Sequence, residues 1–313
     1  MNNSFRPVDD KWIESHRGSK NSVDQHRPYA WIVEKERTAS GSIVDVAIIF
    51  LTNRECPFRC LMCDLWKNTT DETVDPGSIP EQIEWALTQL PPVRHVKLYN
   101  SGSFFDERAV PVSDYGKIAS LLKDFETVIV ESHPRVLGQR CLDFKKMLKP
   151  RLEVAIGLET VNPEVLRKLN KKMTIDDFRN AISFLSINGI SSRAFILLRP
   201  PFLSENEGIE WAERSLDFAF NSGVGCCTII PVRGGNGAME QLQKEGYFNP
   251  PQIRSLEHVL EYGINLNEGR VFADVWDIEL FSDCDDCTEK RKERIISMNL
   301  KQEIPESIVC RCD

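Results

Sequence analysis

Six short runs rich in β-branched and aliphatic residues, each followed by a stretch with helical spacing, constrain this 313-residue chain more than any other feature. The runs are IVDVAIIFL (43–51), HVKLYN (95–100), ETVIVES (126–132), RLEVAIGLE (151–159), SSRAFILL (191–198) and GVGCCTIIPV (223–232). Several are almost unbroken in Val, Ile and Leu, the pattern of parallel strands buried on both faces. The intervening segments carry helix signals. DPGSIPEQIEWALTQL opens with Pro and acidic residues, SDYGKIASLLKDF offers Ser113 or Asp114 as N-cap, and TIDDFRNAISFLSINGI begins with a capping-box pair, Thr174 and Asp177. SENEGIEWAERSLDFAFNSG starts at Ser204 and stops at Gly223. The expected fold class is therefore α/β. Its right-handed βαβ units should curl into a partial, TIM-like (βα)6 barrel, with function at the C-terminal ends of the strands.

The barrel core is expected over 43–235, and residues 1–42, polar and broken by Pro and Gly, read as an N-terminal extension that wraps or frays. Residues 236–313 form a C-terminal region with helices and a small cysteine-rich metal site. Hydrophobic content of 41% and charged content of 27% are those of a globular protein. No apolar run reaches the roughly 18–20 residues of a membrane span, and the polar start lacks a signal core, so a cytoplasmic protein without a membrane partner is expected. A net charge of −8 and a pI near 5.4 argue against nucleic-acid binding through a general basic surface. The short basic runs KKMLKPR (145–151), RKLNKK (167–172) and EKRKER (289–294) read as solvated helix ends and faces.

In a reducing compartment, ten cysteines point to metal binding or catalysis rather than to disulfides. The segment ECPFRCLMCDLW (55–66) sets Cys56, Cys60 and Cys63 directly after the first strand. Three thiolates on one loop can hold three corners of an iron–sulfur cube and leave the fourth iron open to a small molecule. A structural zinc wants four ligands, and the next histidine along the chain, His95, is distant. Near the C-terminus, Cys284-x-x-Cys287 and Cys310-x-Cys312 form a second candidate site, a tetrathiolate for zinc or for an auxiliary iron–sulfur cluster. Cys141, Cys226 and Cys227 lie in apolar settings and are expected to be buried. Two function classes remain: a metalloenzyme, or a non-catalytic binding module stabilised by zinc.

Three cysteines at this spacing after the first strand of an α/β barrel resemble the radical S-adenosylmethionine (radical SAM) superfamily. YNSGSFFDE (99–107) is similar to that superfamily's glycine-containing motif at the end of the second strand. AIGLETVNPEVLRKLNKKMTIDDF (155–178) resembles the branch of elongator-type and tRNA-methylthiolating enzymes. AFILLRPPFLSENEGIEWAERSLDFAF (194–220) resembles a subfamily that includes the radical-SAM subunit of archaeosine synthase. The resemblance implies a [4Fe–4S] cluster on Cys56, Cys60 and Cys63, with S-adenosylmethionine at the open iron. Reductive cleavage would give a 5′-deoxyadenosyl radical that abstracts hydrogen from the substrate.

By the same resemblance Phe58 lies beside adenine, and Ser101, Gly102 and Ser103 approach the methionine amino group. Glu159 would contact the cosubstrate or, structurally, pair with Arg193 or Lys97. Arg193 and Arg199 are both candidates for the methionine carboxylate, Pro201 shapes the loop beside adenine, and VRGGNGAME (232–240) follows the sixth strand. Glu131, together with Asp274 and Asp277 on an expected seventh strand ADVWDIELF, are candidates for substrate contact. The implied substrate is a modified tRNA base, through an archaeosine-type carbon–nitrogen bond cleavage; a small-molecule biosynthetic step is the alternative. Implied partners are an electron donor such as a flavodoxin or ferredoxin, tRNA, and a partner modification enzyme.

Overall fold

The computed structural model describes residues 8–282 and 284–312. One eight-stranded sheet runs in the order β1-β2-β3-β4-β5-β6-β7-β8. Its strands are β1 (Ala30–Arg37), β2 (Ile43–Phe50), β3 (His95–Tyr99), β4 (Thr127–Ser132), β5 (Arg151–Glu159), β6 (Ser191–Leu198), β7 (Cys226–Pro231) and β8 (Arg270–Ala273). Strands β2 to β8 are parallel to their neighbours, and β1 adds antiparallel to β2. The sheet curls into a half-barrel with helices outside, so the α/β partial-barrel expectation holds, with two more strands than the six apolar runs.

The first addition corrects the reading of residues 1–42. AWIVEKER runs as four apolar residues followed by four charged ones, and it is its exposure that alternates along the strand, with only one face covered, which suits an edge strand. The second corrects the reading of ADVWDIELF. The strand ends at Ala273, and Asp274 and Asp277 lie in the turn between it and the short helix Ile278–Phe281.

Period two divides each strand between helices and barrel interior. Ile49, Leu98, Val130, Val154, Ile156, Ala194 and Ile229 belong to the apolar layer beneath the helices. The alternate positions carry Lys97, Tyr99, Glu131, Glu153, Glu159, Arg193 and Phe195 into the interior. The expected capping box forms, Thr174 with Asp177 opening Ile175–Ile187, and the helix start expected at Ser204 carries a second one, Ser204 with Glu207 opening Glu205–Asn221. Asp114 instead accepts the Gly77 N–H at 2.9 Å.

The helix Asp285–Lys301 packs against both β1 and β8, the open edges of the half-barrel. Cys141, Cys226 and Cys227 are buried. Among the described residues, no helix is long and apolar enough to cross a membrane.

Candidate active site at the C-terminal mouth of the barrel

The chain leaves β2 into the loop that carries Cys56, Cys60 and Cys63, all half-buried. Side chains from distant segments hold that loop by its carbonyls. Asn170 Nδ2 donates to the Arg59 carbonyl at 2.6 Å, and Asn236 Nδ2 to those of Leu61 at 2.7 Å and Cys63 at 3.1 Å. The N-terminal segment adds a clamp, with Arg17 and Lys20 each 2.8 Å from Glu55. Burial pushes the Cys56, Cys60 and Cys63 thiols up to about 12, and each feels the charge of another of the three. Such thiols stay protonated unless a cation takes the proton's place, so the donor set suits a soft metal centre.

The end of β3 meets this loop directly. A Cβ on Gly102 would stand 3.3 Å from the Cys56 Cβ, so glycine permits the close approach. Glu131, at the end of β4, accepts the N–H groups of Asn100 at 2.7 Å and Gly102 at 3.3 Å. Burial lifts its carboxyl to about 7 against the pull of those amides. Ser101 sits at φ +53°, and its Oγ lies 3.2 Å from the Tyr29 hydroxyl. Ser103 Oγ accepts the His133 N–H at 2.9 Å. The side-chain amide of Asn100 is buried, and neither its nitrogen nor its oxygen has a protein partner among the described residues.

Phe58 stacks on the His133 ring, centroids 3.8 Å apart and planes 16° from parallel. Burial drives the imidazole down to about 3, so the ring is neutral. Its Nδ1 accepts the Arg135 N–H at 3.2 Å, which leaves Nε2 to donate to the Lys171 carbonyl at 2.9 Å.

Glu159 ends β5 at φ +66° and pairs with Lys171, not with Arg193 or Lys97. Gly157 makes room for this pair, since a Cβ there would collide with both side chains. Arg199, at φ +51° just beyond β6, pairs with Glu205 at 2.6 Å and donates to the Pro250 carbonyl at 2.7 Å. Pro201 is buried beside Phe202, whose N–H reaches the Tyr247 carbonyl at 2.7 Å.

Arg193 lies elsewhere. It is the third residue of β6, at the N-terminal end of the barrel, bonded to Glu36 at 2.6 Å and Glu153 at 2.9 Å. Its guanidinium is thus committed to two buried carboxylates, which corrects its assignment to the methionine carboxylate. Beyond β7, Arg233 joins Asp274 at 2.5 Å and Asp277 at 3.0 Å, and burial pushes the Asp274 carboxyl up. Trp276 is 48% exposed and meets Phe50 edge-on at 6.0 Å.

The mouth thus gathers a soft-metal loop, a glycine-lined approach with an unpartnered amide, a neutral stacked face and a buried ion pair. Residues 50–232, more than half of the chain, match the model of the Radical SAM superfamily. The chain belongs to the radical SAM superfamily. It is therefore an enzyme of a family that works with S-adenosylmethionine and a [4Fe–4S] cluster, and the zinc-stabilised binding module is set aside. It is 25% identical over 277 residues to an uncharacterized protein of Methanocaldococcus jannaschii, covering 83% of this chain and 76% of that one. It is 30% identical over 215 residues to the archaeosine synthase subunit beta of Methanosarcina acetivorans, covering 64% of this chain and 60% of that subunit. Among solved structures, the Elp3 of Methanocaldococcus infernus shares the fold with a TM-score of 0.54 at 16% identity, over 82% of this chain and 63% of that one.

Residue-by-residue reading passes over Asn170, Lys171, His133 and Asn236, which hold or line the mouth. Their only local signals are polar residues at strand or helix ends, as in LNKK, ESHPR and RGGNG.

Proposed function

We propose that Cys56, Cys60 and Cys63 bind three irons of a [4Fe–4S] cluster whose fourth iron receives S-adenosylmethionine, and that the substrate is a modified base in tRNA. The observation that carries the reading is the contact of the cysteine loop with the end of β3, where Gly102 packs on Cys56. When bound, cluster and cosubstrate supply one-electron cleavage of the sulfonium to a 5′-deoxyadenosyl radical, which takes a hydrogen atom from the substrate.

The chain's own residues then bind and orient. Lys171 lends positive charge beside Cys56 and Cys60, and Glu159 fixes its ammonium. The Asn100 side-chain amide, unpartnered among the described residues, offers polar groups to the methionine end, and Gly102 gives the turn its close approach to Cys56. The neutral Phe58–His133 stack gives adenine a flat face, with Pro201 and Arg199 on the neighbouring loop. At the rim, Arg233 held between Asp274 and Asp277, with Trp276 beside them, suits a base that must be stacked and read by its edges. Glu131 acts one step back, holding the Asn100–Gly102 turn by its N–H groups.

The tRNA reading is supported by the relative named archaeosine synthase subunit beta, and it implies carbon–nitrogen bond cleavage on the base. Because that relative is a subunit and this chain carries a net −8, a partner protein would supply the RNA-binding surface. A flavodoxin or ferredoxin would supply the electron. The same acidity favours a second reading, in which the substrate is a small biosynthetic molecule. The test is a reductive assay with S-adenosylmethionine and unmodified or partly modified tRNA, with and without a co-expressed partner, followed by mass spectrometry of nuclease digests. A tRNA-dependent rise in 5′-deoxyadenosine with a changed nucleoside supports the first reading. Turnover indifferent to tRNA under every condition moves the substrate to the second.

A further inference from the structure

Cys284, Cys287, Cys310 and Cys312 converge so that their sulfurs all lie within 4.8 Å of one another. The Cys284–Cys310 and Cys287–Cys312 sulfurs are each 3.6 Å apart, far beyond the length of a disulfide bond. This spacing discriminates between the two metal centres that four thiols allow. In a tetrahedral site with metal–sulfur bonds of about 2.3 Å, neighbouring sulfurs stand about 3.8 Å apart. On an iron–sulfur cube each thiolate binds a different iron, so the sulfurs are separated by the width of the whole cluster. We infer that these four cysteines bind a single zinc ion, distinct from the radical cluster, and that this ion fastens the C-terminal segment to the open edge of the barrel.

The surroundings are those of a charged tetrathiolate. Arg291 Nε donates to Cys287 Sγ at 3.4 Å, while Nη1 of the same guanidinium bonds Glu257 at 2.5 Å. A buried guanidinium beside a cysteine sulfur balances the excess negative charge of four thiolates around one divalent ion. The next turn repeats the device on the tail. Arg294 donates to the carbonyls of Pro305 and Glu306, each at 2.8 Å, and to Glu261 at 2.7 Å. Arg291 Nη2 reaches the Ile308 carbonyl at 3.3 Å. The segment 305–308 is thereby laid along the helix, which delivers Cys310 and Cys312 to Cys284 and Cys287.

The other end of that helix gives the ion its task. Asn299 accepts the Ala273 N–H and donates to its carbonyl, each at 2.8 Å. Gln302 does the same for Val271, at 2.8 and 2.7 Å. Two side-chain amides thus occupy the ladder positions that a ninth strand would fill beside β8, an edge otherwise open to pairing. The zinc pins the start of the helix whose end closes the sheet.

The test uses the full chain purified anaerobically, with metals counted by mass spectrometry and the zinc environment read by X-ray absorption. The expected result is about one zinc per chain with four sulfur neighbours near about 2.3 Å, beside about four irons after reconstitution. A Cys310→Ser/Cys312→Ser double variant should lose that zinc, keep its iron, and expose residues 285–312 to limited proteolysis. About eight irons without zinc, a mononuclear iron, or zinc bound through nitrogen and oxygen would each overturn the assignment. Because the metal count of the unaltered chain decides the matter, a variant that fails to fold leaves the test intact.

Discussion

The two ends of the half-barrel are built on opposite principles. At the N-terminal end, Arg193, Lys97 and Arg270 face Glu34, Glu36 and Glu153, with Lys97 at 2.5 Å from Glu34 and 2.6 Å from Glu36. Each charge has an opposite within reach. Burial alone would lift the Glu36 carboxyl, yet Arg193 and Lys97 hold it well below the usual carboxylate range. At the C-terminal end, polar side-chain atoms of Thr52, Asn53 and Asn100 are buried without a partner among the described residues. Several non-glycine residues there adopt left-handed backbone, among them Ser101 at φ +53°, Glu159 at +66°, Arg199 at +51° and Phe202 at +76°. Strain and unpaired polarity of this kind cluster where a ligand completes the structure. One end makes the fold stable, and the other keeps groups ready for a partner.

Arg193→Met should break the contrast most severely. It removes the cation shared by two buried carboxylates, leaving Glu36 to Lys97 and Glu153 to the longer Arg270 contact, and should cost about 3–5 kcal/mol in urea unfolding, while activity per folded molecule stays near that of the wild type. A large fall in activity at full folding would place Arg193 in the reaction after all.

Glu131 sharpens the contrast through pH. Its folded carboxyl titrates near 7 against an ordinary 4.5, so the unfolded chain ionises first as pH rises. Glu131's own contribution to stability is therefore fully present below about 4.5 and is lost, by about 3 kcal/mol, as pH climbs to about 7. Glu131→Gln should flatten that part of the unfolding-midpoint profile; an unchanged slope would mean another group titrates there. The smallest effect on stability is expected from Asn236→Ala, about 1–3 kcal/mol, accompanied by a disproportionate loss of iron because two loop carbonyls are released.

This contrast also marks what the sequence could say. The apolar runs located β2 to β7 because each strand buries a Val, Ile or Leu face under helices, and the cysteine spacing stood out because packing does not require it. AWIVEKER was passed over because its four apolar residues are followed by four charged ones, without the period of two that its exposure shows in the fold. Arg193 was misjudged for a different reason. Its partner Glu36 lies 157 residues away, and nothing local announces a charged layer inside a barrel. Asn170 and Asn236 act on carbonyls 111 and 175 residues distant, contacts that only the folded chain creates. Glu159 was recognisable as a carboxylate in need of a partner, but the choice of Lys171 depended on a left-handed turn at the end of β5 and on the space left by Gly157.

On the proposed function, the loop of Cys56, Cys60 and Cys63 at the C-terminal mouth is the seat of radical chemistry. The most direct test is 5′-deoxyadenosine formation from S-adenosylmethionine under dithionite, after anaerobic iron reconstitution, for the wild type and Cys60→Ala. Product from the wild type, with none above background from a folded Cys60→Ala that retains its C-terminal metal, is the predicted result. No product from a wild type with a full, reducible cluster, or equal product from the variant, would contradict it.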